Sequence, residues 1–198
     1  MFYEELFERN YGIFSGEEQE RIKTARVSIV GTGGIGGVVA VALARSGLGH
    51  FVLQDYDMYQ PSNMNRQITC FTDTLGNNKA STTGKSIQKI NPEAEVEVCE
   101  LAVTPDEIDE VILRGGVFLP AADDWALSIT MLDRAKQLEK PAIMAYPVGA
   151  LGRVSTFLPQ SPYAAECVAI PSRLSYTEMK AFMEDPLDFS LFQFLQAS

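Results

Sequence analysis

The sequence predicts an α/β fold, a mostly parallel, doubly wound sheet with helices on both faces. Three observations carry that expectation. Short apolar runs of β type alternate with helical stretches along most of the chain. A glycine-rich turn, Gly31-Thr32-Gly33-Gly34-Ile35-Gly36-Gly37, separates the first such run from the first buried helix. The 198 residues suffice for one good core and are marginal for two.

The elements follow in order. Residues 1–25 read as a helical arm, with helix formers in EEQERIKTAR and a start at Ser15-Gly16-Glu17-Glu18. VSIV at 27–30 reads as a strand, VVAVALARSG at 38–47 as a buried helix stopping at Ser46-Gly47, and FVLQ at 51–54 as a second strand closed by Asp55. Together these form a βαβ unit. Residues 57–76, rich in Asn, Gln, Pro and Ser, read as a long functional loop. A helix is expected over 78–91, stopped by Pro92, and an alternating strand over 95–100. Thr104-Pro105 opens a further helix. A strand at 117–119, a helix at 126–138 and a strand at 142–145 complete the alternation, which weakens after Arg153. The expected division is an N-terminal arm (1–25), an α/β domain (26–158) and a C-terminal extension (159–198). The apolar tail PLDFSLFQFLQAS is expected to pack on the domain or on a partner.

Composition narrows the function classes. The formal net charge of −10 gains nothing from counterion release, which argues against nucleic acid as a partner and against anionic membrane surfaces. The acidic N-terminus lacks the layout of a signal peptide, and no apolar run reaches the roughly 18 residues of a membrane span. Cys70, Cys99 and Cys167 are scattered and odd in number, as in a reducing, cytoplasmic setting. With one histidine, His50, they make no zinc site expected. Cys70 and Cys99 read as packing residues, and nothing around Cys167 signals a nucleophile.

The chemistry concentrates after the first two strands. Gly31, Gly33 and Gly36 satisfy G-x-G-x-x-G between a strand and a helix, with Gly34 in the same run. Such a turn lets a phosphate approach the backbone and the helix N-terminus. Asp55, about two dozen residues further on, stands where an acid that holds ribose belongs. This makes the domain Rossmann-like, without deciding between a dinucleotide and ATP. Arg66 and Lys79, in and just behind the long loop, suit a triphosphate, whose departing pyrophosphate gains charge. Taken singly, each reads equally as solvated surface. Asp123 follows the fourth strand, where ligands bind in open α/β sheets, and suits Mg²⁺. Asp123 or Asp124 is expected to cap the helix that follows. Gly84-Lys85-Ser86 resembles the end of a P-loop, but lies inside a predicted helix and lacks the preceding glycine.

In combination and order, RNYGIFSGEEQERIKTARVSIVGTGGIGG, LQDYDMYQPSNMNRQ, LGNNK, INPEAEVEV and AADDW resemble the ThiF/MoeB/HesA family, whose fold is shared with ubiquitin-activating enzymes. The resemblance runs from Arg9 to about Leu158. It implies an adenylyltransferase that binds ATP with Mg²⁺ and activates a carboxylate as an acyl-adenylate. That carboxylate is the C-terminus of a ubiquitin-like or sulfur-carrier protein, or a small carboxylic acid. Asp55 would hold the ribose, and Asp57 and Asn63 would belong to the same pocket. Arg66 and Lys79 would bind the phosphates and Asp123 would act through Mg²⁺. Arg9 would reach across a homodimer to the neighbour's phosphates; its plainer reading is an exposed arm charge. The chain departs from the family where Pro120, Ala121 and Ala122 replace an earlier aspartate, where Asp124 replaces an asparagine, and where an arginine is missing around Ser128. Two other readings stay open: a non-catalytic nucleotide-binding scaffold subunit, which those losses favour, and an NAD-dependent oxidoreductase, which gives Arg66, Lys79 and Asp123 no task.

Overall fold

A computed structural model describes residues 2–148, 151–168 and 170–184. Among them, six strands form one sheet in the order β3-β2-β1-β4-β5-β6. They are β1 (Arg26–Val30), β2 (His50–Gln54), β3 (Glu95–Cys99), β4 (Val117–Pro120), β5 (Ala142–Val148) and β6 (Leu151–Phe157). The first five run parallel, and β6 turns back antiparallel to β5. The main helices are α3 (Gly36–Arg45), α4 (Lys79–Ile90), α5 (Ile108–Leu113) and α6 (Trp125–Gln137).

Alternation along the strands builds two cores. Val27 and Ile29 of β1, with Phe51 and Leu53 of β2, pack against Ala40 and Ala44 of α3 and Ala80 and Ile87 of α4. On the opposite face, Val30 and Phe118 pack against Ile112 of α5 and Met131, Leu132 and Ala135 of α6. The helices thus cover both faces, as expected of a doubly wound sheet. The predicted helices and parallel strands fall within a few residues of their observed bounds. Gly84 lies mid-helix in α4, facing Val96 and Val98 of β3, so the P-loop look-alike is a packing glycine.

The N-terminal segment is less helical than predicted. It holds α1 (Tyr3–Leu6), a 3₁₀ turn at Glu8–Asn10 and α2 (Gly16–Thr24), with a non-helical stretch between them. The start at Ser15 is as read: Ser15 Oγ accepts from Glu18 N–H at 3.2 Å, and Glu18 returns the bond to Ser15 N–H at 2.8 Å. The segment packs on the end of α3. Tyr3 Oη donates to Gly47 O at 2.6 Å, and Asn10 Nδ2 and Gln19 Nε2 donate to Ser46 O at 3.0 and 3.1 Å. These bonds satisfy carbonyls left open where the helix stops.

β6 is absent from the sequence reading. It is an edge strand exposed on most of its length, so burial imposes no alternation on its residues. Beyond it, α7 (Ala164–Cys167) and α8 (Tyr176–Glu184) pack on α6 through Ala126, Ile129, Ala165, Ile170 and Met179. The tail expectation falls at residues 186–198, outside the described residues.

Asp133 of α6 fastens this C-terminal segment. It is buried, and it accepts from Ala165 N–H at 3.2 Å and Arg173 N–H at 3.1 Å. Burial pushes its carboxyl above the ordinary Asp value despite those bonds. A folded pKa raised above the unfolded value of about 3.9 contributes stability that is full below the unfolded value and lost as pH rises through the folded one. The stability of the wild type relative to Asp133→Asn is therefore expected to increase as pH falls from neutral toward about 4. Urea midpoints of both proteins across that range check this; a constant difference would contradict it.

Candidate functional site

The carboxyl ends of the parallel strands open into a cleft of about 430 Å³. Its position follows from topology: β1 lies at the centre, its neighbours β2 and β4 lead their chains away in opposite directions, and a crevice forms where they part. Gly31, Gly33 and Gly34 form one wall, and Asp55 and Asp57 follow β2. Arg66, Gln67 and Lys79 line the loop side, Asp123 and Asp124 the mouth of β4.

The glycine turn is fixed by space. Gly31 has φ +88°, and a Cβ there would meet Ala121 O at 2.5 Å. Gly36 does not line the cleft; its missing Cβ lets α3 begin directly beneath the Gly31 carbonyl. The turn is tied to β2 by Asp55, whose Oδ2 accepts from Thr32 N–H at 2.7 Å and from Thr32 Oγ1–H at 3.2 Å. Asp55 Oδ1 accepts from Asp57 N–H at 3.0 Å. The acid is thereby held rigid at the end of the strand.

The long loop folds back onto the same place. Asn78 caps α4, accepting from Ser81 N–H at 3.0 Å, while its Nδ2 donates to Asp55 O at 2.8 Å. This places Lys79, the first residue of α4, beside the cleft, with Nζ 2.7 Å from Asp57 Oδ2 and the lysine side chain nearly buried. Arg66 lies over Gly34 and is steadied by Ser62 O at 2.9 Å and Asn65 Oδ1 at 3.0 Å. No carboxylate among the described residues pairs with it. A guanidinium aimed by carbonyl oxygens alone keeps most of its donors for an anion.

At the opposite side, Asp124 caps α6, accepting from Leu127 N–H at 2.9 Å. It also accepts from Tyr176 Oη–H of α8 at 2.8 Å, and this bond holds the Tyr176 phenol above its usual pKa. Asp123 is exposed at the cleft and engages no other described residue. Of the two carboxylates from which the sequence expected a helix cap, Asp124 is the one that caps, and Asp123 is exposed. Asn63 and Arg9 do not line the cleft. Asn63 is buried in the loop, accepting from Gln60 N–H at 3.0 Å, and Arg9 is exposed on the N-terminal 3₁₀ turn.

Sequence reasoning missed Gln54, Gln67, Leu101 to Val103, Leu127, Pro147 and Tyr176, all of which line the cleft. A signal existed for Gln54 and for Leu101, which stand at the carboxyl ends of β2 and β3. None existed for Tyr176, which arrives from the C-terminal segment. Trp125 stacks edge-on against Tyr146 at 4.8 Å, and both border a second cavity of about 180 Å³ with Cys167 at its rim.

The sequence matches the ThiF family over residues 7–183. The chain belongs to the ThiF family. The match extends past Leu158 to include α7 and nearly all of α8. This ThiF-family chain is 31% identical over 155 residues to the vegetative HesA protein of Trichormus variabilis, covering 78% of this chain and 58% of that one. It is 30% identical over 141 residues to the sulfur carrier protein adenylyltransferase of Thermus thermophilus, covering 71% and 52%. Its fold matches the tRNA N6-threonylcarbamoyladenosine dehydratase of E. coli, solved in complex with ATP, at TM-score 0.71 and 28% identity, covering 75% and 62%. The chain therefore spans only part of the length of each. Among the described residues no helix is long and apolar enough to cross a membrane.

Proposed function

We propose that this ThiF-family chain is an adenylyltransferase that binds ATP with Mg²⁺ in the cleft and activates a carboxylate as its acyl-adenylate. The carrying observation is that Arg66 and Lys79 meet Asp123 around a single glycine-walled cleft. That charge pattern suits a triphosphate with a metal ion, and a dinucleotide leaves it without a task. The ATP complex of the E. coli dehydratase supports the same reading.

In this reading a carboxylate oxygen of the substrate attacks the α-phosphorus. The bond to the bridging oxygen breaks, and pyrophosphate leaves with the electron pair. Asp55 holds the ribose, with Asp57 beside it. Gly31, Gly33 and Gly34 admit the phosphates to the backbone. Lys79 exchanges Asp57 for phosphate, and Arg66 offers its unused donors to the charge on the leaving group. A single open carboxylate fits Mg²⁺, which keeps several waters and takes its remaining ligands from phosphates; Asp123 would hold it. An ion held by Asp123 would supply charge neutralisation to the phosphates. The acyl substrate is a ubiquitin-like or sulfur-carrier protein tail or a small carboxylic acid, and the reaction is cytoplasmic. Exposed Arg9 serves a partner's cleft in a homodimer, and Asn63 shapes the loop that carries Arg66.

Calorimetric titration with ATP·Mg²⁺ and separately with NAD tests this. ATP is expected to bind, and Arg66→Ala to weaken it about tenfold or more, as for a charged hydrogen bond of about 1.5–3 kcal/mol. NAD binding without ATP binding would replace the proposal with an oxidoreductase.

A further inference from the structure

We propose that Gln54 selects adenine in the cleft by accepting a hydrogen from the 6-amino group of the base. The inference rests on the reading of the cleft as an ATP site and adds the residue that tells one purine from another.

Gln54 ends β2, directly before Asp55, and the residue is 4% exposed. Its Nε2 donates to Leu101 O at 3.1 Å. That bond fixes which way the amide faces, because the reverse orientation would set oxygen against oxygen. Oε1 is then left buried with no hydrogen-bond partner. Buried side-chain oxygens without a partner are uncommon and costly, so each calls for a missing donor. Gln54 Oε1 is one of three such oxygens among the described residues, and Gln67 Oε1, on the same cleft, is another. Both amides line the cleft, so a ligand bound there can supply the missing donor.

The surroundings of Gln54 suit a flat base. Leu101, Ala102 and Val103, which follow β3, form an apolar floor beside it on the cleft wall, and Leu101 is 71% exposed. Asp55, placed to hold the ribose, is the adjacent residue. A base laid on that floor brings its edge to the Gln54 amide. At position 6 adenine presents an amino donor, and guanine presents a carbonyl that would face Oε1 with a second acceptor. A site built to hydrogen-bond a ligand group rejects the analogue that lacks it.

The test is a calorimetric cycle with ATP and purine riboside triphosphate, which carries hydrogen at position 6, on the wild type and on Gln54→Met. Methionine matches the length of glutamine and removes the unpartnered oxygen. The wild type is expected to bind ATP about tenfold more tightly than the analogue, and Gln54→Met to bind both alike, near the wild-type affinity for the analogue. Its urea midpoint should change little, since losing the bond to Leu101 O is offset by removing a buried oxygen that had no partner. A Gln54→Met protein that still prefers ATP overturns the assignment. So does a wild type indifferent to the 6-amino group, a result that needs no variant to fold. A wild type that binds neither nucleotide removes the ATP reading itself.

Discussion

Replacing Gly36 with alanine is expected to lower stability by about 2–3 kcal/mol, despite the better helix propensity of alanine. The added methyl would overlap the Gly31 carbonyl oxygen and crowd the Ile29 side chain. Neither can yield easily. Gly31 N–H donates to Gln54 O at 2.8 Å, and Ile29 sits fully buried in the central strand. α3 must therefore shift outward, carrying the turn with it, so ATP affinity should fall together with the urea midpoint. Gly16→Ala is the control. It lies in the first turn of α2 with open space around it, and its midpoint should hold or rise slightly. Equal effects at the two positions would show that close approach is not what Gly36 provides.

Asp123→Ala is expected to leave the fold intact and remove the dependence of ATP affinity on Mg²⁺. Asp123 is exposed and engages no other described residue, so its loss exposes no buried partner and opens no cavity. In the wild type, ATP should bind more tightly with Mg²⁺ than with a chelator present; in the variant the two titrations should coincide. With an acyl acceptor in hand, adenylate formation should drop about a hundredfold or more, the scale for losing one charge-stabilising group. Asp124→Ala should behave differently, costing about 1 kcal/mol of stability as a helix cap and releasing Tyr176. A variant lacking Asp123 that kept its response to Mg²⁺ would move the metal elsewhere in the cleft.

Much of this architecture was legible because burial leaves a pattern in sequence. β1 and β2 are apolar because helices cover both their faces, and the glycine turn is explicit because only glycine fits at Gly31 and Gly36. Arg66, Lys79 and Asp123, which line the cleft, stand out in the sequence through their place after strand ends, which is where open sheets bind ligands. The misses have physical causes too. β6 is exposed along most of its length, so nothing forced its residues to alternate. The Gln54 amide looks like an ordinary polar end to a strand until its second atom proves unpaired. Tyr176 reaches Asp124 across 52 positions of sequence, a contact that no local pattern encodes.

The central place of β1 also bears on how the chain is made. Its first neighbour, β2, is complete by Gln54, but its second, β4, begins only at Val117. At ribosomal rates of about 5–20 residues per second, the interval is on the order of 3–12 s. During that time the open flank of β1, a run of unpaired amides and carbonyls, is the hazard that exposed strand edges present to neighbouring chains. The crevice exists only after β4 has closed that flank, so a ligand bound there would meet a finished sheet and could not template an unfinished one.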